Sequence, residues 1–195
     1  SRDVWAIDEF GIDIMYLIIG TERALLIDTG IGIGNIWSVV ETMTHLPYDV
    51  VNTHHHYDHV GGAEKLRDYF ECPVMMHEQD AFLYRRPVDR LLRDGDELDL
   101  DGETLRVYHT PGHTRGSICI LSEKSKVVFT GDTIFDTDLG RTDLPDGSPR
   151  DMIHSCRDVI NKWSNAYTIY PGHDGSATMK QVRQYNQEFL DCLGK

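Results

Sequence analysis

Short apolar segments recur along this chain, and several of them end directly in a turn that carries Asp or His. Val50-Val51 leads into the polar segment 53–62, and two later apolar segments lead into Pro-Gly-His triplets at 111–113 and 171–173. Short apolar runs bounded by turn residues are typical of buried strands, and loops at strand ends are where functional side chains collect. The pattern predicts a sheet protein with one polar site at its strand ends.

Strand and helix patterns alternate along the chain, which predicts an α/β fold. Helices are expected to begin after Asn35, near Ala63, after Ser148 and near Thr178, where a capping residue or an apolar stripe at helical spacing occurs. Strands are predicted at 14–19, 24–28, 50–51, 73–76, 104–109, 117–121, 126–130 and 167–170. The last helix is expected to carry Met179, Val182, Tyr185 and Phe189 on one face.

The two halves of the chain have a similar order, strands first and helices later. Each half also contains an Asp/Gly/Thr turn, Asp28-Thr29-Gly30 in the first and Gly131-Asp132-Thr133 in the second. No Pro- or Ser-rich linker divides them. We expect a single domain over residues 1–195 with a weak internal duplication.

The net charge and the cysteine content indicate which binding partners and which cellular compartment to expect for this protein. The formal net charge of -13 would repel a nucleic-acid backbone. The longest uncharged apolar stretch, 14–19, is too short to cross a bilayer. The four cysteines are widely spaced and form no C-x-x-C pair, which favours reduced thiols over a disulfide framework. We expect a cytoplasmic protein without nucleic-acid or membrane partners; its oligomeric state is left open.

The segment Thr53-His54-His55-His56-Tyr57-Asp58-His59 has the ligand types of a metal site. On an extended backbone, alternate side chains share a side, so His54, His56 and Asp58 are expected to converge while His55 and Tyr57 face away. Imidazole and carboxylate favour Zn, Fe or Mn over Ca or Mg. The alternative is a solvated polar loop that binds metal only adventitiously.

Counting the candidate ligands favours two ions over one. Seven groups are more than a four- or five-coordinate ion needs, and they suffice for two ions that share a carboxylate. The seven groups are His54, His56, Asp58, His59, His113, Asp132 and His173.

These residues, in this order, resemble the motif set of the metallo-β-lactamase-fold hydrolases. The resemblance implies a four-layer αββα sandwich with two similar halves. It further implies that the first metal is held by His54, His56 and His113, and that the second is held by Asp58, His59 and His173. Asp132 would bridge the two ions, and Asp28 would support the site from behind the ligands.

Within that family the segment 53–62 is similar to the signature of glyoxalase II-like thioesterases, and 140–145 resembles a segment of their short bacterial relatives. The resemblance implies hydrolysis of a small-molecule acyl thioester by a hydroxide that bridges two divalent ions, Zn first and Fe or Mn as options. Asp58 is a candidate proton acceptor. A thioester ranks above a β-lactam because a thiolate leaves without protonation.

Three other functions stay open. The same metals would serve a lactonase or another ester hydrolase. A persulfide dioxygenase would use one iron held by His54, His113 and Asp132. A non-catalytic binding module is disfavoured by the complete ligand set.

Arg141 is a candidate to bind a substrate carboxylate, although an internal salt bridge to a neighbouring Asp would explain it equally well. His55 and Tyr57 are expected to support the loop. Four further histidines outside the motifs are expected to be packing or surface residues: His45, His77, His109 and His154. Aromatic residues near the start of the chain are expected in the core or at the pocket mouth: Trp5, Phe10 and Tyr16.

Overall fold

The computed structural model describes residues 3–194, which form two six-stranded sheets with helices outside them. The first sheet contains, in spatial order, β1 (Asp3–Glu9), β2 (Asp13–Ile19), β3 (Ala24–Ile27), β4 (Tyr48–Asn52), β5 (Val74–His77) and β6 (Arg90–Leu92). The second sheet contains β7 (Glu97–Leu100), β8 (Glu103–His109), β9 (Ile118–Ser122), β10 (Val127–Gly131), β11 (Thr168–Pro171) and β12 (Ala177–Thr178), also in chain order.

The helices of the described residues follow the strands of their own half. Those of the first half are α1 (Ile36–Met43), α2 (Tyr57–Val60), α3 (Ala63–Phe70) and α4 (Glu78–Tyr84). Those of the second half are α5 (Pro149–His154), α6 (Met179–Tyr185) and α7 (Gln187–Cys192), with a π-helical turn (Ser155–Val159) and a 3-10 turn (Ile160–Lys162) after α5. No helix within residues 3–194 is long and apolar enough to cross a membrane.

Alternation along the buried strands creates the layers. On β3, Leu25 and Ile27 face a core shared with Val107 and Phe129 of the second sheet, so the two sheets pack face to face. Leu26 lies between them in sequence and faces the opposite side of the sheet, where it packs in a second core with the helices of the first half.

Helices cover both outer faces of the paired sheets. Val40 of α1 and Leu66 of α3 pack on the first sheet. Met152 of α5 and Phe189 of α7 pack on the second. This helix, sheet, sheet, helix order confirms the predicted four-layer α/β sandwich.

Both sheets change from antiparallel to parallel pairing. In the first sheet, β1, β2 and β3 pair antiparallel and β3 to β6 pair parallel. In the second, β7 to β10 pair antiparallel and β10 pairs parallel with β11. The carboxyl ends of β3, β4, β10 and β11 therefore meet at one edge of the sandwich, where ligands bind in folds of this kind.

Several elements differ from the sequence prediction. The strand Asp3–Glu9 and the helix Glu78–Tyr84 were not predicted: the first is a sheet edge, and the second starts immediately after β5, with the His77 side chain at its N-cap. The short strands β6, β7 and β12 were not predicted either. The predicted strand 24–28 ends at Ile27 because Asp28 has a left-handed φ of 61°.

The single last helix that the sequence predicts is in fact two helices. Asn186 lies between α6 and α7, where its buried side chain caps α7 and donates to the backbone oxygens of Phe135 and Asp138. Tyr185 is 61% exposed, so its predicted place on the apolar face is wrong, whereas Met179, Val182 and Phe189 are buried as expected.

Candidate metal centre

Three imidazoles meet where the loop after β4 approaches the loop between β8 and β9. Potential ligand nitrogens of His54, His56 and His113 all lie within 4.8 Å of one another. The ring centroids are 4.6 to 4.8 Å apart. This group has the size and donor type of a three-histidine metal site.

The backbone that carries these ligands is not the extended strand that the sequence predicts. β4 ends at Asn52, His56 is the N-cap of α2, and Asp58 lies on that short helix. The expected mechanism of convergence, alternation along a strand, is therefore wrong for Asp58. His55 does face away from His54 and His56, because its ring contacts Asp80, and Tyr57 is exposed.

A second group surrounds Asp132, which follows β10. The Asp132 Oδ1 atom is 3.4 Å from His59 Nε2, and Oδ2 is 3.2 Å from His173 Nε2. The Asp58 Oδ2 atom is 4.0 Å from His59 Nε2 and 3.9 Å from His173 Nε2. Two imidazoles and two carboxylates thus face one small volume.

The Asp132 carboxylate also reaches the first group. Its Oδ2 atom is 3.6 Å from His113 Nε2, and one of its oxygens forms a possible ligand set with His54 and His59. One carboxylate therefore lies between the two imidazole groups, which is the position that a bridging ligand needs.

Buried atoms without hydrogen-bond partners mark the centre of this arrangement. Within the described residues, the Nε2 atoms of His54, His59 and His113 and the Oδ1 atom of Asp132 are buried and unpartnered. Buried polar atoms are normally satisfied, so such a cluster requires another ligand. Their imidazole and carboxylate donors fit divalent Zn, Fe or Mn.

Proton affinities at the centre depend on which charges lie nearby. Burial lowers the pKa of His54 far below its ordinary value and that of His56 to about 4, with the neighbouring histidines acting in the same direction. Both are therefore neutral imidazoles at pH 7, the protonation state that binds metal. For His59, burial lowers the pKa, but the carboxylates of Asp132, Asp28 and Asp13 outweigh it and raise the pKa.

Hydrogen bonds at Nδ1 orient the rings of two proposed ligands, His113 and His59. His113 Nδ1 lies 2.8 Å from the backbone oxygen of Arg141, and His59 Nδ1 lies 3.1 Å from Asp28 Oδ2. Asp28 also accepts from the Thr53 backbone N–H and hydroxyl at 2.7 and 2.8 Å. Contacts of this kind orient metal-binding histidines and hold Nε2 towards the ion.

Asp13 is a buried acid that sequence reasoning missed. It is 1% exposed, its Oδ1 atom is 3.2 Å from His59 Nδ1, and neither carboxylate oxygen has a hydrogen-bond partner in the described part of the chain. Burial raises its pKa to about 8. The available signal was an acid at the start of the apolar run 14–19, where a charge is costly unless it has a role.

Asp80 on α4 is the second acid that the sequence did not single out. Its Oδ2 atom accepts from the backbone N–H of His55 at 2.9 Å and from the Thr114 hydroxyl at 2.7 Å, and it lies 3.0 Å from His55 Nδ1. Its Oδ1 atom accepts from the Gly116 N–H at 2.6 Å. One fully buried carboxylate therefore joins the loop of His54 and His56 to the loop of His113.

Gly172 allows the backbone of the loop after β11 to pass close to His59 and Asp132 of the second ligand group. A Cβ atom at this position would lie 2.5 Å from His59 Cε1 and 2.6 Å from Asp132 Oδ1. The Pro-Gly-His order at 171–173 is thus explained by a close approach of backbone to ligands.

A cleft of about 560 Å³ opens onto the centre. Besides ligand residues, its lining comprises Tyr57, Phe135, Asp138, Leu139, Gly140, Arg141, Leu144 and Asp174. Arg141 lines the cleft as a substrate-binding residue would, and its guanidinium also makes a bidentate salt bridge with Asp143, at 2.8 and 2.9 Å.

The remaining histidines and aromatics lie outside the centre. His77 is buried and stacks on His109, with ring centroids 4.1 Å apart, and His45 and His154 each pair with an acid one turn away. Tyr16 is a core residue, whereas Trp5 and Phe10 are exposed and do not line the cleft.

Comparison with known proteins agrees with this geometry. Residues 47–173 match the family model described as "Metallo-beta-lactamase superfamily". The chain belongs to the metallo-beta-lactamase superfamily. Superfamily members bind divalent metals and include metallo-hydrolases, so the His and Asp clusters have the expected donor set.

Two curated relatives align with most of the chain. An uncharacterized protein of Mycobacterium tuberculosis (strain ATCC 25618 / H37Rv) is 35% identical over 204 residues, covering 90% of each chain. Hydroxyacylglutathione hydrolase GloC of Haemophilus influenzae is 34% identical over 152 residues, covering 69% of this chain and 72% of that protein.

Several solved structures share this fold. BLEG-1, a B3 metallo-beta-lactamase, has a TM-score of 0.84 at 25% identity and covers 94% of this chain and 98% of that one. TTHA1623 in a di-iron-bound form has a TM-score of 0.81 at 25% identity, covering 93% and 98%. ETHE1 from Myxococcus xanthus has a TM-score of 0.82 at 27% identity, covering 94% and 83%.

Proposed function

We propose that this metallo-hydrolase superfamily member cleaves small-molecule acyl thioesters with two divalent metal ions. The observation that carries the proposal is the Asp132 carboxylate, which contacts imidazoles of both ligand groups at 3.2 to 3.6 Å. A carboxylate in that position suits two ions better than one.

The proposed ligand assignment follows the two groups. His54, His56 and His113 would hold the first ion, and Asp58, His59 and His173 would hold the second. Asp132 would contribute to both. When bound, such ions polarise a carbonyl and lower the pKa of water towards ~7. Zn is the proposed metal, and Fe is supported as an option by the di-iron form of TTHA1623.

The chain's own residues supply positioning and proton transfer. Asp58 is partly exposed at the cleft and lies beside His173, so it is placed to accept a proton from water near the reacting carbonyl. The apolar wall of Phe135, Leu139 and Leu144 excludes water from one side of the substrate. No Ser or Cys is among the described lining residues, so the proposed reaction uses neither a serine nor a cysteine nucleophile.

A thioester is preferred to a β-lactam because of the leaving group. A thiolate departs without a proton, whereas an amine must receive one, and the cleft lining has no buried acid apart from the ligands. The 34% identity with GloC supports the same choice. A lactone or other ester would fit the same requirements.

A second candidate, persulfide oxidation at one iron, is supported by the likeness to ETHE1. It would use His54, His113 and Asp132 as ligands. Metal analysis distinguishes the two functions, since the dioxygenase requires one iron and oxygen uptake, and the hydrolase requires two ions and no oxygen.

The testing experiment is a hydrolysis screen with metal content measured on the same sample. Glutathione thioesters, lactones, phosphodiesters and β-lactams are the substrate classes. Thioester cleavage with about two ions per chain is expected, and cleavage confined to β-lactams or phosphodiesters would contradict the proposal. The His45→Ala variant, prepared in the same way, is the control for effects of purification, because His45 is exposed and belongs to neither ligand group.

We further propose that residues 1–195 act as one cytoplasmic domain without nucleic-acid or membrane partners. The core shared by both sheets over residues 3–194 supports the single domain, while residues 1, 2 and 195 lie outside the described part. The four cysteines are free thiols, which suits a reducing compartment. The net charge of -13 disfavours nucleic acid.

A further inference from the structure

The cleft wall beyond the metal ligands is acidic. Asp138 and Asp174 both line it, and neither forms an ion pair within residues 3–194. The buried unpartnered atoms of the ligand groups show where the scissile bond must lie, so these two carboxylates face the parts of a substrate that extend away from it.

The only cation among the described lining residues is already engaged. The Arg141 guanidinium donates from Nε and a terminal nitrogen to the two oxygens of Asp143. This bidentate salt bridge uses the pair of guanidinium N–H donors that would otherwise bind a substrate carboxylate. The net charge of the wall therefore stays negative.

The surroundings of Asp138 reinforce the negative potential. Partial burial raises its pKa, and the nearby carboxylates of Glu188, Asp174 and Asp136 act in the same direction. A group whose protonation is favoured by neighbouring acids lies in a region that repels further anions.

We propose that the cleft selects thioesters whose thiol portion carries no net negative charge. The inference rests on the proposed thioester hydrolysis and names its substrate class. The glutathione portion has two carboxylates and one ammonium, so it carries a net negative charge, and it meets Asp138 and Asp174 without a free cation in the described lining to compensate. The charge of the two proposed metal ions and their ligands would not discriminate between these substrates, because it would act on the thioester group that all of them share.

The experiment compares S-acetylglutathione with its dimethyl ester, with thiol release followed by a chromogenic thiol reagent. The two compounds have the same thioester and nearly the same size, but esterification removes two negative charges. An exposed charge changes an interaction by about two- to five-fold, so two of them predict a kcat/KM about four-fold or more higher for the dimethyl ester. Raising the salt concentration should reduce that ratio.

Charge variants test whether the wall causes the preference. Asp138→Asn and Asp174→Asn should each lower the ratio, and the double variant should bring it close to one. Glu71→Gln is the matched control, since Glu71 is exposed after α3 and lines no part of the cleft.

The outcomes separate charge selection from the proposed reaction. A wild-type ratio of one or below, or a ratio that neither Asp variant alters, would overturn the selection while thioester hydrolysis stands. If neither compound is cleaved, the proposed reaction fails, and selection is measured by equilibrium titration with S-methylglutathione and its dimethyl ester. Tighter binding of the dimethyl ester then supports the selection, and equal or weaker binding overturns it.

Discussion

The Asp80→Asn variant tests whether one buried carboxylate holds the two loops of the first metal group together. Asp80 takes part in four polar contacts, three at Oδ2 and one at Oδ1. An asparagine has the same shape but only one accepting oxygen. If that oxygen occupies the Oδ2 position, the amide NH2 faces the Gly116 N–H, and two donors oppose each other.

The expected loss of stability follows from these contacts. Removing a hydrogen bond to a buried charged group costs about 1.5–3 kcal/mol, and the unsatisfied Gly116 N–H adds to this. The loop that carries Gly116 cannot easily move to separate these two donors, because the packing is tight: a Cβ atom at Gly116 would lie only 2.5 Å from Asp80 Oδ1. We expect unfolding to require about 2–4 kcal/mol less free energy.

The pH dependence of this loss has a definite sign. Burial alone would raise the pKa of Asp80, but hydrogen bonds from His55, Thr114 and Gly116 outweigh it and hold the pKa below 3.8. A depressed folded-state pKa contributes stability above the unfolded-state value, and this contribution is lost as the pH falls through the folded-state value. The wild-type advantage over Asp80→Asn should therefore be constant near pH 7 and diminish below about pH 4.

Urea unfolding of metal-free protein, followed by circular dichroism, measures the stability change. Zinc titration calorimetry measures the second effect, an expected 10- to 100-fold weaker affinity, typical of disturbed supporting contacts around a metal. Asp151→Asn is the matched control, because Asp151 is exposed on α5 and takes no part in these contacts, and it should cost less than ~1 kcal/mol. A loss below ~0.5 kcal/mol in Asp80→Asn, or an equal loss in both variants, would refute the reasoning.

Three further predictions concern the ligands. Asp132→Asn keeps the shape of the side chain but removes the negative charge that both ligand groups face. The second ion should therefore bind more weakly and kcat should fall roughly 100-fold or more, which metal analysis and kinetics would measure. Two tightly bound ions at normal kcat would exclude a bridging role. His113→Ala should abolish hydrolysis while the circular dichroism spectrum is retained, since its loop lies outside the apolar core; wild-type turnover would contradict this assignment. Chelation should remove activity and readdition of Zn, Fe or Mn should restore it to different degrees; full activity of the metal-free protein would contradict metal dependence.

Local sequence determined much of the fold and the list of candidate ligands. Apolar alternation and capping residues such as Ser148 and Asn35 depend on neighbours a few positions away, so they are visible without a structure. The ligand candidates are similarly local, because they follow strand ends, and two of them stand in Pro-Gly-His triplets. The family resemblance drawn from those turns is confirmed by the match over residues 47–173.

Tertiary structure decided which residues support the ligands. Asp13 contacts His59, 46 residues later in the sequence, and Asp80 contacts His55, 25 residues earlier. No local pattern links either acid to its partner. Arg141 had two equally reasonable sequence interpretations, and the loop conformation placed Asp143 against its guanidinium. The physical reason is that these contacts depend on how the strand ends and loops are packed against each other, which spacing along the chain does not encode.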